Sequence, residues 1–132
     1  MKHAQIQVKT TQKYSNHSDK DMFKTDATIG EKEGAIYVLY KQADGSDVNL
    51  KLKDGVITVK FTGATKANWL FENGKKTSST SHTPQGQMIF EADTSNLEFE
   101  CMEDHFSLKI CYALYTHNKK LSENTFEILQ VD

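Results

Sequence analysis

Apolar and polar residues alternate with a period of two along most of the chain, which is the pattern of β-strands with one buried face. The sharpest case surrounds Asp54-Gly55, a dipeptide that favours a type I′ hairpin turn. Folding the chain there sets large apolar residues opposite one another: Leu52 with Ile57, Leu50 with Val59, and Val48 with Phe61. Lysine, threonine and asparagine occupy the other face. This segregation predicts an antiparallel pair with one face in the core.

The same test predicts two turns further along the chain. A turn at Thr94-Ser95 gives these apolar pairs: Ala92 with Leu97, Phe90 with Phe99, and Met88 with Cys101. A turn at Glu103-Asp104 gives a second set, with one charged pair on the solvent face: Cys101 with Phe106, Phe99 with Leu108, Leu97 with Ile110, and Glu98 beside Lys109. Three strands then share one apolar face. Because a one-residue slip would expose that face, the register is strongly specified.

This register also separates the two cysteines. Cys101 is predicted to point into the core, whereas Cys111 points to the opposite face beside Asn96. They lie about five positions apart along the ladder, or roughly 17 Å. A disulfide requires Cα atoms within about 7 Å, so we expect two free thiols.

Shorter patterns complete the set of strands. We predict strands at residues 4–10, with Ile6 and Val8 inward, at 21–30, at 35–40, and through Phe126 and Ile128 to about Val131. Residues 11–20 are predicted to form a polar loop. About ten antiparallel strands with short turns, and no amphipathic helix, indicate an all-β chain in which residues 1–132 form one domain. We predict an up-and-down barrel, because closure removes exposed strand edges.

The most unusual stretch is the Ser/Thr-rich segment that leads to Pro84, the only proline. Proline and glycine suit the second and fourth positions of a turn at residues 83–86, which pairs Ser81 with Met88 and Ser79 with Phe90. A loop with an odd number of residues at Asn73-Gly74, three residues or a G1-type bulge, is then needed to keep Trp69 facing inward.

These assignments predict a candidate ligand site in the barrel lumen, where small hydroxyl side chains lie between large apolar ones. Its members are Trp69, Phe71, Thr77, Ser79, Ser81, Met88 and Phe90. Small residues beside large ones leave volume, and buried hydroxyls need hydrogen-bond partners. Water or a ligand with a polar head and an apolar body would supply them. Two alternatives remain open, since the hydroxyls can bond to local backbone and the strand can form a solvent-facing rim.

Charge argues against several classes of partner. The net charge is −2, and all sixteen basic residues are lysine. A net negative charge does not attract nucleic acid or an acidic membrane surface. Because the chain has no arginine, no guanidinium group is present to bind phosphate or guanine through two hydrogen bonds. The longest apolar run, at residues 35–40, is far shorter than the roughly 20 residues of a transmembrane helix. No signal-peptide core is found near the N-terminus, so we expect a cytoplasmic protein.

No constellation of residues points to catalysis or to a cofactor. The five histidines are scattered, and none has the spacing of a metal-ligand pair. Ser81 and His82 are neighbours in a strand and therefore point to opposite faces, which rules out a nucleophile and its base. The glycines mark turns, and none forms a phosphate-binding loop. We expect no enzymatic activity, no metal and no cofactor.

The segment from the second strand of the first hairpin onward resembles the YwiB-like family of small bacterial β-barrel proteins of unknown function. The residues that carry the resemblance are Gly63, Trp69, Phe71, Gly74, Thr83-Pro84, Gly86, Thr94 and Leu97. It extends over residues 36–131, and the turn at residues 83–86 is its strongest part. Thr62 stands where the family has arginine, and His82 where it has tyrosine. The resemblance implies a calycin-like barrel, related in shape to lipocalins, and no established activity.

Two functions are consistent with these observations. The first is the binding of a small, mostly apolar ligand in the lumen. The second is a protein-interaction or structural role through the outer surface, with a homodimer as one form. An unusual surface should lie inside the barrel for the first and outside it for the second. A completely filled lumen would favour the second.

Overall fold

The computed structural model describes residues 2–64, 66–102 and 105–131. Within these ranges the chain forms ten β-strands: β1 (Lys2–Lys13), β2 (Ser18–Lys32), β3 (Ala35–Lys41), β4 (Asp47–Lys53), β5 (Val56–Thr62), β6 (Lys66–Glu72), β7 (Lys76–Thr83), β8 (Gly86–Met102), β9 (His105–Thr116) and β10 (Lys119–Gln130). No helix that is long and apolar enough to cross a membrane is present in the ranges described.

The strands form one closed antiparallel barrel in which every strand pairs with its neighbours in sequence. β1 closes the barrel, since it pairs with β2 on one side and with β10 on the other. The predicted all-β, up-and-down barrel is confirmed. Closure gives most of the backbone a partner on both sides, which an open sheet cannot do for its edge strands.

The core consists of the inward-facing residue of each alternating pair. The largest of its fully buried apolar members are mostly aliphatic: Ile6, Val38, Val48, Leu50, Ile57, Ile110 and Ile128, with Phe106. The hairpin at Asp54-Gly55 has the predicted register. Both turn residues have positive φ, 53° and 77°, as a type I′ turn requires. The pairing of β4 with β5 that alternation predicts is therefore confirmed.

The predicted turn at Thr94-Ser95 is wrong, because β8 runs through it as one strand of 17 residues. The pairing of β8 with β9 shifts by one residue between Thr94 and Asn96, which is the signature of a β-bulge at Ser95. The apolar positions change from even to odd numbers between Ala92 and Leu97. A two-residue turn and a one-residue bulge both produce that change, so alternation alone cannot distinguish them.

Beyond the bulge, the predicted pairing of β8 with β9 is confirmed. Leu97 pairs with Ile110, Phe99 with Leu108, and Cys101 with Phe106. The turn predicted at residues 103–104 lies outside the described residues.

The positions of the two cysteines along the ladder are confirmed, but the predicted burial of Cys101 is wrong. Cys111 lies opposite Asn96, as predicted, and is half-buried. Cys101 is exposed although its ladder partner Phe106 is buried, because β7 pairs with β8 only as far as Asp93 and leaves this half of β8 uncovered on that side. Both cysteines are free thiols in the structure.

The polar loop predicted at residues 11–20 is shorter than expected. β1 continues to Lys13 and β2 begins at Ser18, and these two residues pair. Tyr14 closes the hairpin by donating its backbone N–H to the carbonyl of His17, at 2.8 Å. Polar residues continue the strands here because the ladder between β1 and β2 satisfies their backbone groups, whatever their side chains.

The β6–β7 seam, where Leu70 faces Thr77 and Ser79, is held by side chains as well as by backbone. The regular ladder between the two strands covers three pairs, from Lys66–His82 to Asn68–Thr80. Beyond it, the Leu70 N–H donates to Ser79 Oγ at 3.1 Å, and Thr77 Oγ1 donates to the Leu70 carbonyl. Two hydroxyls thus replace ladder hydrogen bonds, which is one of the alternatives left open by the sequence.

The loop after β6 has the predicted odd length. It contains three residues between Glu72 and Lys76, and Gly74 has φ of 77°. Gly74 also donates its N–H to the carbonyl of Thr94 at 2.8 Å, and Thr94 donates its own N–H to the carbonyl of Lys75 at 3.1 Å. The loop is therefore fixed against β8 at the residue that precedes the bulge.

Replacing Ser79 by alanine should destabilise the barrel, because the partly buried Leu70 N–H would lose its acceptor. We expect the free energy of unfolding to fall by about 1–3 kcal/mol in denaturant titration. Ser78→Ala, on the exposed face of the same strand, is the matched control and should change it by about 0.5 kcal/mol or less. Equal effects of the two substitutions would contradict a structural role for the Ser79 hydroxyl.

Candidate functional site

Four aromatic side chains form a continuous cluster inside the barrel. The Trp69 ring is nearly parallel to those of Phe71 and Phe90, with centroids 6.1 and 5.8 Å away. Tyr112 lies across the lumen and is tilted by 52° against both Phe71, at 4.7 Å, and Trp69, at 6.3 Å. Side chains of the three strands β6, β8 and β9 therefore form a single aromatic cluster (Trp69, Phe71, Phe90 and Tyr112).

A small apolar cavity of about 60 Å³ adjoins this cluster. The residues that line it are Val59, Phe61, Trp69, Phe71, Tyr112 and Phe126. The cavity is far smaller than the roughly 300–1,000 Å³ of a typical ligand pocket. It has room for one small apolar group, so the lumen is neither completely filled nor widely open.

A row of polar side chains crosses the lumen beside the cavity. Gln12, Asn124, Tyr112 and Thr94 lie opposite one another on β1, β10, β9 and β8. Tyr14 Oη donates to Gln12 Oε1 at 3.0 Å and extends the row towards the β1–β2 loop. We call the four cross-strand residues the polar row. Tyr112 belongs both to this row and to the aromatic cluster, and so joins the two.

Several polar atoms of this region are buried without a partner among the described residues. Asn124 is 3% exposed, and neither its Nδ2 nor its Oδ1 makes a hydrogen bond. The hydroxyls of Thr94, at 1% exposure, and of Ser122, at 3%, are also unpartnered. An unpaired buried amide or hydroxyl costs about 1–3 kcal/mol. The protein thus retains polar groups that its own folded chain does not satisfy.

No charged side chain is buried in the part of the barrel that the structure describes. Among the described residues, the buried polar side chains are those of Ser46, Ser79, Thr94, Ser122 and Asn124, and none of them carries a charge. Burial raises the pKa of Tyr112 to about 12, and the neighbouring phenol of Tyr14 contributes to the increase. Tyr112 is therefore protonated at neutral pH, which leaves its O–H available as a donor.

The predicted site residues divide into three groups. Trp69, Phe71 and Phe90 come together in the aromatic cluster. Thr77 and Ser79 point inward as predicted, but their hydroxyls bond across the β6–β7 seam.

The last two predicted residues lie at the rim. Ser81 pairs with Met88, and Ser79 with Phe90, in the predicted register. Ser81 is half-buried, however, and Met88 is 45% exposed, so these two do not line the cavity. They miss it because the strand passes the end of the lumen before the turn at Pro84.

The alternation of residues along the chain does not predict the polar row. It places Thr94 in a turn and leaves Asn124 without an assigned face. The signal for Asn124 was present, because Phe126 and Ile128 point inward and Asn124 shares their parity on β10. No comparable signal marked the proximity of Gln12, Tyr112 and Thr94, which depends on strand pairing.

The family described as "Domain of unknown function (DUF1934)" matches residues 6–128, which is nearly the whole chain. The chain belongs to the DUF1934 family. Comparison with curated proteins gave no significant match. Membership of this family therefore brings no activity with it.

Among solved structures, the barrel is similar to the crystal structure of the ywiB protein from Bacillus subtilis. The TM-score is 0.82 at 20% sequence identity, with 98% of this chain and 92% of that chain covered. At this identity the similarity establishes the fold alone. The resemblance to YwiB-like proteins read from the sequence is confirmed.

The two departures from the family pattern lie away from the cavity. Thr62 is exposed at the end of β5, opposite Asp47. His82 is exposed near the end of β7, between Lys66 and Gln87. A change at either position therefore leaves the aromatic cluster and the polar row intact.

Replacing Asn124 by leucine, a residue of similar size, should stabilise the empty protein. The substitution removes an amide that is buried without a partner, so we expect the free energy of unfolding to rise by about 1–3 kcal/mol. Asn49→Leu, on the exposed face of β4, is the control and should change it by about 0.5 kcal/mol or less. A loss of stability in Asn124→Leu would show instead that buried water satisfies the amide.

Proposed function

We propose that this protein binds a small, uncharged and mostly apolar ligand in the lumen of its barrel, and that it acts by binding, without catalysis. The observation that carries the proposal is the Asn124 amide, which is buried, unpartnered and paired across the ladder with Tyr112, a residue that lines the apolar cavity. Folding normally eliminates such groups, and those that persist need an explanation. A ligand with a polar head and an apolar body would form hydrogen bonds with the amide and fill the cavity.

The site has the general composition of a small-molecule pocket. Such pockets combine mainly apolar and aromatic walls with a few convergent polar groups. Here Trp69, Phe71, Phe61 and Phe126 supply the walls, and the polar row supplies the hydroxyl and amide groups. The small size of the cavity means that the ligand inserts one ring or a short branched group, while the rest lies towards the barrel end or displaces side chains.

The barrel topology also supports this proposal. Up-and-down closure is shared with lipocalins and other calycin-like barrels that hold ligands inside, which supports the proposal by analogy only.

We also propose a cytoplasmic location. The observation that supports it is that both cysteines are free thiols, as is usual where the cell keeps thiols reduced.

Trp69 offers a direct test, because it is the only tryptophan of the chain and lines the cavity. Titration with single-ring aromatic probes should change its fluorescence saturably. Val59→Leu adds a methylene to the cavity wall and should weaken probe binding, whereas Val56→Leu, outside this cavity, should not. The absence of any saturable change in the unmodified protein, or equal binding by the two variants, would refute a lumen site.

A second candidate function, interaction through the outer surface, is favoured by one observation on β8. β7 pairs with β8 only as far as Asp93, so residues 96–102 pair with β9 on one side. Within the described part of the chain, no strand pairs with their other side. Phe99 and Met102 are exposed here at 45% and 64%. A strand edge of this kind can accept an extended peptide as an additional strand.

The charges on this edge select the partner. Glu98 and Glu100 are both exposed. Antiparallel pairing of two copies about Phe99 would set Glu98 of one copy opposite Glu100 of the other, and like charges in such positions are destabilising. We therefore propose an extended, lysine-bearing segment of another protein as the occupant. A homodimer, if one forms, would use a different surface.

An extended peptide with alternating lysine and valine residues should bind this edge, more weakly as salt concentration rises. The double substitution Glu98→Lys and Glu100→Lys should abolish binding in fluorescence anisotropy. The matched control, Asp21→Lys with Glu31→Lys, makes the same charge change on β2 and should retain it. An equal loss of peptide binding in both double variants would show that binding depends only on net charge, and it would contradict a binding site at this strand edge.

A further inference from the structure

The unpartnered groups of the lumen are of a kind that restricts the chemistry of the ligand. The Asn124 side chain has both a donor, Nδ2, and an acceptor, Oδ1, and neither is used. Thr94 and Ser122 add hydroxyls that can donate or accept. An alcohol or a ketone would satisfy only part of this set. A group that presents an N–H and a C=O side by side would pair with both atoms of the amide at once.

The position of Asn124 on β10 places its side-chain amide close to the cavity. On β10, Asn124 is two residues from Phe126, which is about 7 Å along a strand. Across the ladder, it lies opposite Tyr112, and directly opposed residues have Cβ atoms about 5 Å apart. Phe126 and Tyr112 both line the cavity. The amide is therefore roughly one aromatic ring away from the apolar space.

Thr94 approaches from the other side of the same tyrosine. It pairs with Tyr112 on β9, so Tyr112 lies between the two unpartnered polar residues. The backbone N–H and C=O of Thr94 are both used by the loop after β6, which leaves its hydroxyl as the group that faces the lumen. A planar group resting against Tyr112 would have Asn124 at one edge and Thr94 at the other.

The neutrality of the lumen excludes charged heads. None of the buried polar residues described is charged, and no arginine exists in the chain. A carboxylate or an ammonium group would enter an apolar region without a counter-charge, which is strongly unfavourable. The polar head must hence be neutral.

From these four constraints we propose that the ligand is an uncharged aromatic compound with an amide or lactam group. This group forms hydrogen bonds with the Asn124 amide, and the Thr94 hydroxyl contributes a further hydrogen bond. This inference rests on the proposed lumen binding and specifies its chemistry. The aromatic ring occupies the cavity against Tyr112 and Trp69. The amide or lactam makes a reciprocal pair of hydrogen bonds with Asn124.

Three single-ring probes of similar size separate the relevant features: benzamide has the amide, toluene lacks any polar group, and benzoate carries a charge. Their binding can be followed by Trp69 fluorescence and checked by calorimetry. In the unmodified protein, benzamide should bind about tenfold or more tightly than toluene or benzoate, the factor expected for net hydrogen bonding to a buried site.

Asn124→Leu should remove this preference, so that benzamide and toluene bind equally, while Asn49→Leu on the outer surface retains it. Thr94→Val, a substitution of the same shape, provides a second variant if Asn124→Leu does not fold, and should reduce the preference. Toluene binding as tightly as benzamide to the unmodified protein would overturn the amide inference and leave lumen binding standing. A preference for benzamide over toluene that persists in both Asn124→Leu and Thr94→Val would likewise overturn the amide inference. Failure of all three probes to bind would overturn both proposals.

Discussion

The ten strands form a stable wall because the sheet closes on itself, and this closure is weakest at the β6–β7 seam. The backbone ladder there covers only three pairs before the strands diverge. Ser79 and Thr77 continue the connection through their hydroxyls, which bond to both backbone groups of Leu70. Small hydroxyl residues suit this place because they reach the opposite backbone without filling the lumen. The polar character of β7 is thus explained by closure before any ligand is considered.

The bulge at Ser95 is the second device that shapes the barrel. It allows one strand to serve two purposes, since the first half of β8 closes the wall with β7 and the second half extends with β9 alone. Thr94 lies at the junction, where its backbone is fixed by the loop after β6 and its side chain points into the lumen. The same irregularity therefore creates one side of the polar row and leaves an unpaired strand edge outside. Both proposed functions depend on it.

Inside the barrel, the distribution of polar groups differs between neighbouring regions. The hydroxyls at the β6–β7 seam are satisfied by backbone, whereas Asn124, Thr94 and Ser122 are not. A barrel selected for stability alone would replace the second set by apolar residues of the same size, which is often neutral or favourable. Their retention close to an apolar cavity is the reason for proposing a binding site in the lumen.

Alternation and turn chemistry predicted most of the strands, the faces they present and the positions of several turns. The Asp54-Gly55 hairpin, the turn at Pro84, the odd loop near Gly74 and the pairing of Phe99 with Leu108 all follow from alternation and turn chemistry, because both are local properties. The pairing of β8 with β9 was needed to distinguish a bulge from a turn at Thr94-Ser95, since both change the parity of the strand in the same way. The row formed by Gln12, Asn124, Tyr112 and Thr94 also could not be predicted, because cross-strand neighbours depend on the stagger with which the barrel closes. Alternation shows that a side chain points inward, but strand pairing determines what it meets there.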